Sequence, residues 1–221
     1  MKRHSLLRLI LPILTILFCQ RCRLPETYQI PVAQLPVTDW FPLVDQQIYW
    51  YWVQDSFLTD TGWKIQQYYQ RDSVAFEDEV AWVYRGLADS LSNASVQTDT
   101  LLQWRKVEGY GVETQQNQVI RMIYLPPIPG KSWKANVYGT QYSIQRKIVT
   151  LDTFISGPLD IYWASLTWVQ CLPISTLEKN YIGAEAYAPN QGKVFQYLRE
   201  EKRDGGQLQA GTHIQTKYRI P

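Results

Sequence analysis

The sequence predicts a mostly β fold: an antiparallel sheet, strongly curved or rolled into an open or closed barrel, with little helix. Three observations predict it. Apolar and aromatic side chains alternate with period two in one segment after another, as a half-buried strand requires. Short strands of this kind recur at regular spacing, separated by turn residues such as Thr61-Gly62 and Gly205-Gly206. Helical periodicity is nearly absent, and Thr176–Ala188 is the one stretch that reads as a turn or short helix, stopped by Pro189.

The strands follow in order. Gln47–Phe57 carries rings on both faces, with Ile48, Trp50 and Trp52 on one and Tyr49, Tyr51 and Val53 on the other. Trp63–Val74 places Trp63, Ile65, Gln67 and Tyr69 together, and Val80, Trp82 and Tyr84 alternate in a third strand. Leu101–Val107 and Val119–Leu125 read as a pair around a polar, Gln-rich turn, and Tyr142–Val149 continues the pattern. Leu159–Leu172 is apolar on both faces and so reads as a central strand. Phe195–Glu201 and His213–Ile220 close the chain. In the last strand Ile214, Thr216, Tyr218 and Ile220 alternate with His213, Gln215, Lys217 and Arg219. The polar set is expected to face solvent.

Residues 1–18 read as a signal peptide: Lys2, Arg3 and Arg8 precede an apolar run from Leu9 to Phe18. That run is too short to span a bilayer, which takes about 20 residues. Cys19 directly after it resembles the lipobox cysteine of bacterial lipoproteins, with Phe18 where a small residue usually stands. The resemblance implies a diacylglycerol on Cys19. Residues 19–38, with Pro25, Pro31 and Pro36, then form a linker, and 39–221 a single β domain. The whole chain has 22 basic and 20 acidic residues, a net charge of +2. Losing residues 1–18 removes Lys2, Arg3 and Arg8 and leaves 19 basic against 20 acidic residues, a net of −1. A near-neutral chain gives no footprint for nucleic acid. Of the three cysteines, Cys171 sits in an apolar strand and is expected to be a small buried hydrophobe.

Three short segments carry a family resemblance. Phe41-Pro42-Leu43 followed by Trp50-Tyr51 and Asp55-Ser56-Phe57 resembles the opening of uncharacterised Bacteroidetes-type outer-membrane lipoproteins. Asp45-Gln46-Gln47 stands where those proteins have a Gly-Asn turn. Gly130-Lys131-Ser132-Trp133, and Tyr187-Ala188-Pro189-Asn190-Gln191-Gly192-Lys193-Val194, resemble later segments of the same proteins. The resemblance implies an envelope lipoprotein with a β-rich domain, similar at fold level to open-barrel lipoprotein carriers. Cys19 is followed by neither an Asp nor an acidic run, and by resemblance to lipoprotein sorting rules this implies lipid anchoring in the outer membrane, with the domain facing the periplasm.

The residues point away from catalysis and cofactors. His213 is the one histidine beyond the signal segment, and no Gly-x-Ser-x-Gly elbow is present. Cys19-x-x-Cys22 has a zinc-ligand spacing but coincides with the processing site, and paired His ligands and a Gly-rich phosphate loop are missing. Acidic pairs exist at Glu77, Asp78 and Glu79, at Glu178 and Glu185, and at Glu200 and Glu201. A glycan hydrolase would need two carboxylates about 5–10 Å apart in one cleft. The chain has 9 Trp and 15 Tyr against 6 Phe, and ring faces with a polar handle suit wet binding surfaces. Trp50, Trp52, Trp82, Trp104, Trp163 and Trp168 are the candidate ligand-binding set, for a lipid, glycan or peptide held on a concave sheet. The competing expectation is that they fill the core. A structural or assembly role in an envelope complex, with an envelope protein as partner, is the alternative to ligand binding.

Overall fold

Sixteen strands build the domain in a computed structural model that describes residues 38–77, 80–88, 90–91, 97–115, 118–138, 144–175, 179–205 and 207–221. They are β1 Ile48–Thr59, β2 Gly62–Glu77, β3 Val80–Ala88, β4 Gln97–Val107, β5 Tyr110–Gln115, β6 Gln118–Tyr124, β7 Ser132–Lys134 and β8 Asn136–Tyr138. Then come β9 Gln145–Thr150, β10 Ile155–Ser156, β11 Tyr162–Trp163, β12 Thr167–Ser175, β13 Lys179–Ala188, β14 Gly192–Asp204, β15 Gln207–Leu208 and β16 His213–Arg219. No helix occurs among the described residues. The signal segment, Cys19, Cys22 and the linker up to residue 37 lie outside them, as do Asp78, Glu79 and Glu178.

Fourteen strands join in one antiparallel sheet, in the order β7-β9-β12-β13-β14-β16-β1-β2-β3-β4-β5-β6-β8, with β15 attached to β14. The two ends of that order, β7 and β8, are neighbours in the chain and share one linking residue, Ala135. Its N–H donates to Ile144 O at 2.7 Å, and its carbonyl accepts from Arg121 N at 2.7 Å. One short segment thus pairs β9 with its first half and β6 with its second. The sheet edges meet there, and the result is a nearly closed barrel of twelve staves. Closure removes the open edges that make free strands sticky.

Register fixes which side chains face inward, because directly opposed residues share a face. Val53, Val83, Leu102, Ile148 and Val169 are fully buried inside, with Tyr49, Tyr51, Trp104 and Trp133. One end of the barrel is stoppered by the segment before β1. Phe41 lies against Gly111, where a Cβ would stand 2.5 Å from the ring. Asp39 ties the stopper down through Lys106 Nζ at 2.6 Å and through Asn190, whose N–H donates to Asp39 O at 2.7 Å.

The strand expectations hold for most of the chain, with three corrections. Residues 179–188 are a strand, β13, and not a turn or helix: they pair along their whole length with β14. Leu159–Leu172 is not one central strand. Leu159, Asp160 and Ser165 take positive φ angles, so the first half folds back as the small β10–β11 hairpin and only β12 enters the barrel. Between Leu101–Val107 and Val119–Leu125 lies an unforeseen strand, β5, entered through the tight turn at Glu108-Gly109.

Candidate functional site

The inside of the barrel is charged. Asp72 on β2 accepts two hydrogen bonds from Arg85 on β3, at 3.0 and 3.1 Å, and one from Gln70 Nε2 at 2.9 Å. Glu185 on β13 pairs with Arg146 on β9 at 2.5 Å, accepts from Tyr187 Oη at 2.7 Å and has Lys193 Nζ at 3.6 Å. Burial works against the charge on Glu185, but the Arg146 and Lys193 cations outweigh it and hold its carboxyl below the usual range. Glu113 accepts from Trp104 Nε1 at 2.9 Å. Desolvation opposes its charge as well, yet Lys193 and Arg85 bring it down to about 2.

Lower in the barrel Asp55 collects three donors: Tyr68 Oη at 2.7 Å, Gln215 Nε2 at 2.9 Å and His213 Nε2 at 3.0 Å. The His213 ring stacks on Phe57, with centroids 4.5 Å apart. The polar face of β16 is therefore the inward face, contrary to the sequence expectation. Lys217 and Arg219 are each 8% exposed, and His213 bonds to Asp55 instead of projecting into solvent. The lumen supplies partners for three of the four side chains on that face: His213 and Gln215 bond to Asp55, and Arg219 bonds to Gln191.

The aromatic residues divide between the inner core, with Phe41, Tyr49, Tyr51, Trp104, Trp133 and Tyr187, and the outside. Trp168, Phe195, Tyr218 and Trp52 form a lateral track across β12, β14, β16 and β1, with centroid separations of 5.5, 5.2 and 6.1 Å. Tyr69 on β2, paired with Trp52, extends it. The β10–β11 hairpin covers the first part of this track. Gly157 rests on the Tyr218 ring so closely that a Cβ would stand 2.5 Å away, and Trp163 Nε1 donates to Arg219 O at 3.0 Å. Leu166, Val194 and Phe195 are buried beneath it. Beyond the hairpin the track is open. Trp50, Trp52, Tyr69 and Trp82 are half-buried, and Ile48, Tyr84 and Leu101 are exposed on the same face. Arg71 lies over the Trp50 ring at 5.9 Å. The Nε atoms of Arg71 and of Arg105, on the same face, are buried with no hydrogen-bond partner.

The six candidate tryptophans thus fall into three settings. Trp104 is in the core against Phe41 and Tyr49. Trp163 and Trp168 belong to the covered part of the outer track. Trp50, Trp52 and Trp82 stand on its open part. Tyr69, Tyr84, Arg71 and Arg105 join them there without having been singled out in the sequence. Tyr69 was readable in the alternation of β2; the two arginines had no signal until register put them beside rings. Cys171 is buried, as expected, and burial pushes its thiol up.

Among the described residues no group of three or more His, Cys, Asp or Glu side chains is placed to hold a metal ion. No helix there is long and apolar enough to cross a membrane, which leaves strands unaddressed.

No family model and no curated protein matches the sequence. Among solved structures, an exported protein of Bacteroides fragilis NCTC 9343 with a YmcC-like fold is similar at 13% identity and a TM-score of 0.42, over 82% of this chain and 97% of that one. A superposition that loose defines neither a family nor an activity for this chain.

Proposed function

We propose that the chain is a lipid-anchored protein of a bacterial cell envelope, attached at the outer membrane through Cys19 with its domain in the periplasm. It acts without catalysis, by binding a glycan on the open half of the outer aromatic track. The observation that carries this reading is the face shared by Trp50, Trp52, Tyr69, Trp82 and Tyr84, with Arg71 and Arg105 set among the rings. Sugar rings stack on flat aromatic faces, and a guanidinium beside them offers N–H donors of the kind that hydroxyl or carboxylate oxygens accept. The cavity at the charged cluster measures about 10 Å³, room for about one water and not for a lipid chain.

Titration of intrinsic tryptophan fluorescence with neutral and acidic oligosaccharides, and with phospholipid vesicles, tests it. A shift with oligosaccharide that weakens about tenfold in Trp50→Ala/Trp82→Ala supports the reading, since each ring contact contributes about 0.5–1.5 kcal/mol. Binding to vesicles alone, or to neither, rejects it. Palmitate labelling of wild type and Cys19→Ala tests the anchor; equal labelling rejects it.

A second reading, an assembly component, draws on the exposed apolar row Ile48, Tyr84 and Leu101, at 43%, 44% and 47%. Such rows suit a protein interface. Crosslinking of the anchored protein that returns no stable partner counts against it. The hydrolase alternative has less behind it. Glu185 is held by Arg146, and Glu201 by Arg199, Arg203 and Asn180.

A further inference from the structure

The charged lumen contains one cation whose partner is missing. Arg85 is committed to Asp72, Arg146 and Lys193 to Glu185, and Glu113 to Trp104. Lys217, on β16 and 8% exposed, has no hydrogen bond or ion pair among the described residues. It lines the cavity of about 10 Å³ together with Lys193, Arg85, Gln70, Gln196 and the single carboxylate Asp72. Three cations thus face that space against one anion. Tyr51 also lines it. A buried ammonium without a counter-charge is costly, and a counter-ion or loss of its proton relieves it.

We propose that this cavity is an anion site, in which one small inorganic anion of halide size is held by the Lys217 ammonium with help from Lys193 and Arg85. The lining has the right sign and the space admits one particle of about water size. Asp72 and, further off, Glu113 oppose an anion. Asp72, however, is neutralised by Arg85 and Glu113 lies under the fields of Lys193 and Arg85. Burial, then Arg85, bring the Lys217 amine down to about 7, with Asp72 and Glu113 pulling the other way and Lys193 adding to the fall. A bound anion favours the charged amine, so site occupancy and protonation rise together.

The test is thermal unfolding of the full mature chain in sodium chloride and in sodium gluconate at equal ionic strength. At pH 6, chloride is expected to raise the midpoint saturably by about 2–4 °C. The difference is expected to shrink above about pH 8, as the amine loses its proton, and to vanish in Lys217→Met. Should Lys217→Met fail to fold, wild-type crystals grown in sodium bromide are expected to show an anomalous peak at Lys217 Nζ. Equal midpoints in the two salts, a Lys217→Met protein that keeps the full difference, or a bromide map without that peak overturns the proposal. Equal midpoints combined with stability that climbs through pH 7 identify a neutral amine in place of the anion.

Discussion

The two faces of β16 differ in an instructive way. Its polar residues, His213, Gln215, Lys217 and Arg219, look into the barrel, while Ile214 and Tyr218 look outward under partial cover. In an open sheet the polar face meets water and the apolar face packs. Here the lumen supplies what water would. Carboxylates on β2 and β13 meet cations on β3, β9 and β14, so these charged side chains are satisfied without solvent. The outer face carries a second set of rings, partly beneath the β10–β11 hairpin and partly open. Alternation identifies two faces but not which of them is inside.

The contrast can be broken most severely from within. Arg146→Met leaves the buried Glu185 carboxylate with Tyr187 and the more distant Lys193 alone, and urea denaturation is expected to show a loss of about 3–5 kcal/mol. The paired change Arg146→Met/Glu185→Leu is expected to recover most of it. A single change costing under about 1 kcal/mol would mean that the lumen is wetter than its geometry indicates.

On the outside, Gly157→Val drives a side chain into the Tyr218 ring and lifts the hairpin. The expected cost is about 1–3 kcal/mol, with a red shift in emission as Trp163 and Trp168 become wetter. An unshifted spectrum would show that the hairpin does not cover the track.

The lumen also has a pH signature in chloride-free buffer. The Lys217 amine sits at about 7 when folded and near 10.4 when unfolded. The unfolded chain therefore binds more protons between those values, and stability rises with pH across that window. The two values set an upper bound of about 4–5 kcal/mol on the gain, which relaxation of the site reduces. Lys217→Met is expected to flatten that part of the profile, and an unchanged slope would place its origin elsewhere.

The smallest stability effect belongs to the open track. Trp82→Ala is expected to change stability by no more than about 1 kcal/mol, because the ring is half-exposed, while weakening oligosaccharide binding. A larger loss of stability would make Trp82 a core residue.

Most of the barrel was legible in the sequence because its strands alternate strictly: β1, β2, β3 and β16 follow from their own residues. The misses have local causes. Leu159–Leu172 is apolar throughout, so its period hides the reversal that Leu159, Asp160 and Ser165 impose through positive φ. Residues 179–188 mix Gly183 and three alanines into a strand that earns its place by pairing with β12 and β14 rather than by propensity. The tryptophans stood out as a set, but their division among core, covered track and open track follows from register. The charged lumen was invisible, since Asp72, Arg85, Glu113, Arg146, Glu185 and Lys217 are scattered through the chain and meet only on closure.

Hydroxyl-radical footprinting of the full-length protein, read by mass spectrometry at each tryptophan, tests the central claim most directly. Trp50, Trp52 and Trp82 are predicted to be oxidised readily and to be protected by a bound oligosaccharide, while Trp104 and Trp133 stay protected throughout. Oxidation of Trp104 as fast as Trp82 would mean that the rings line an open interior, and it would contradict the division between a charged, filled lumen and an aromatic outer face.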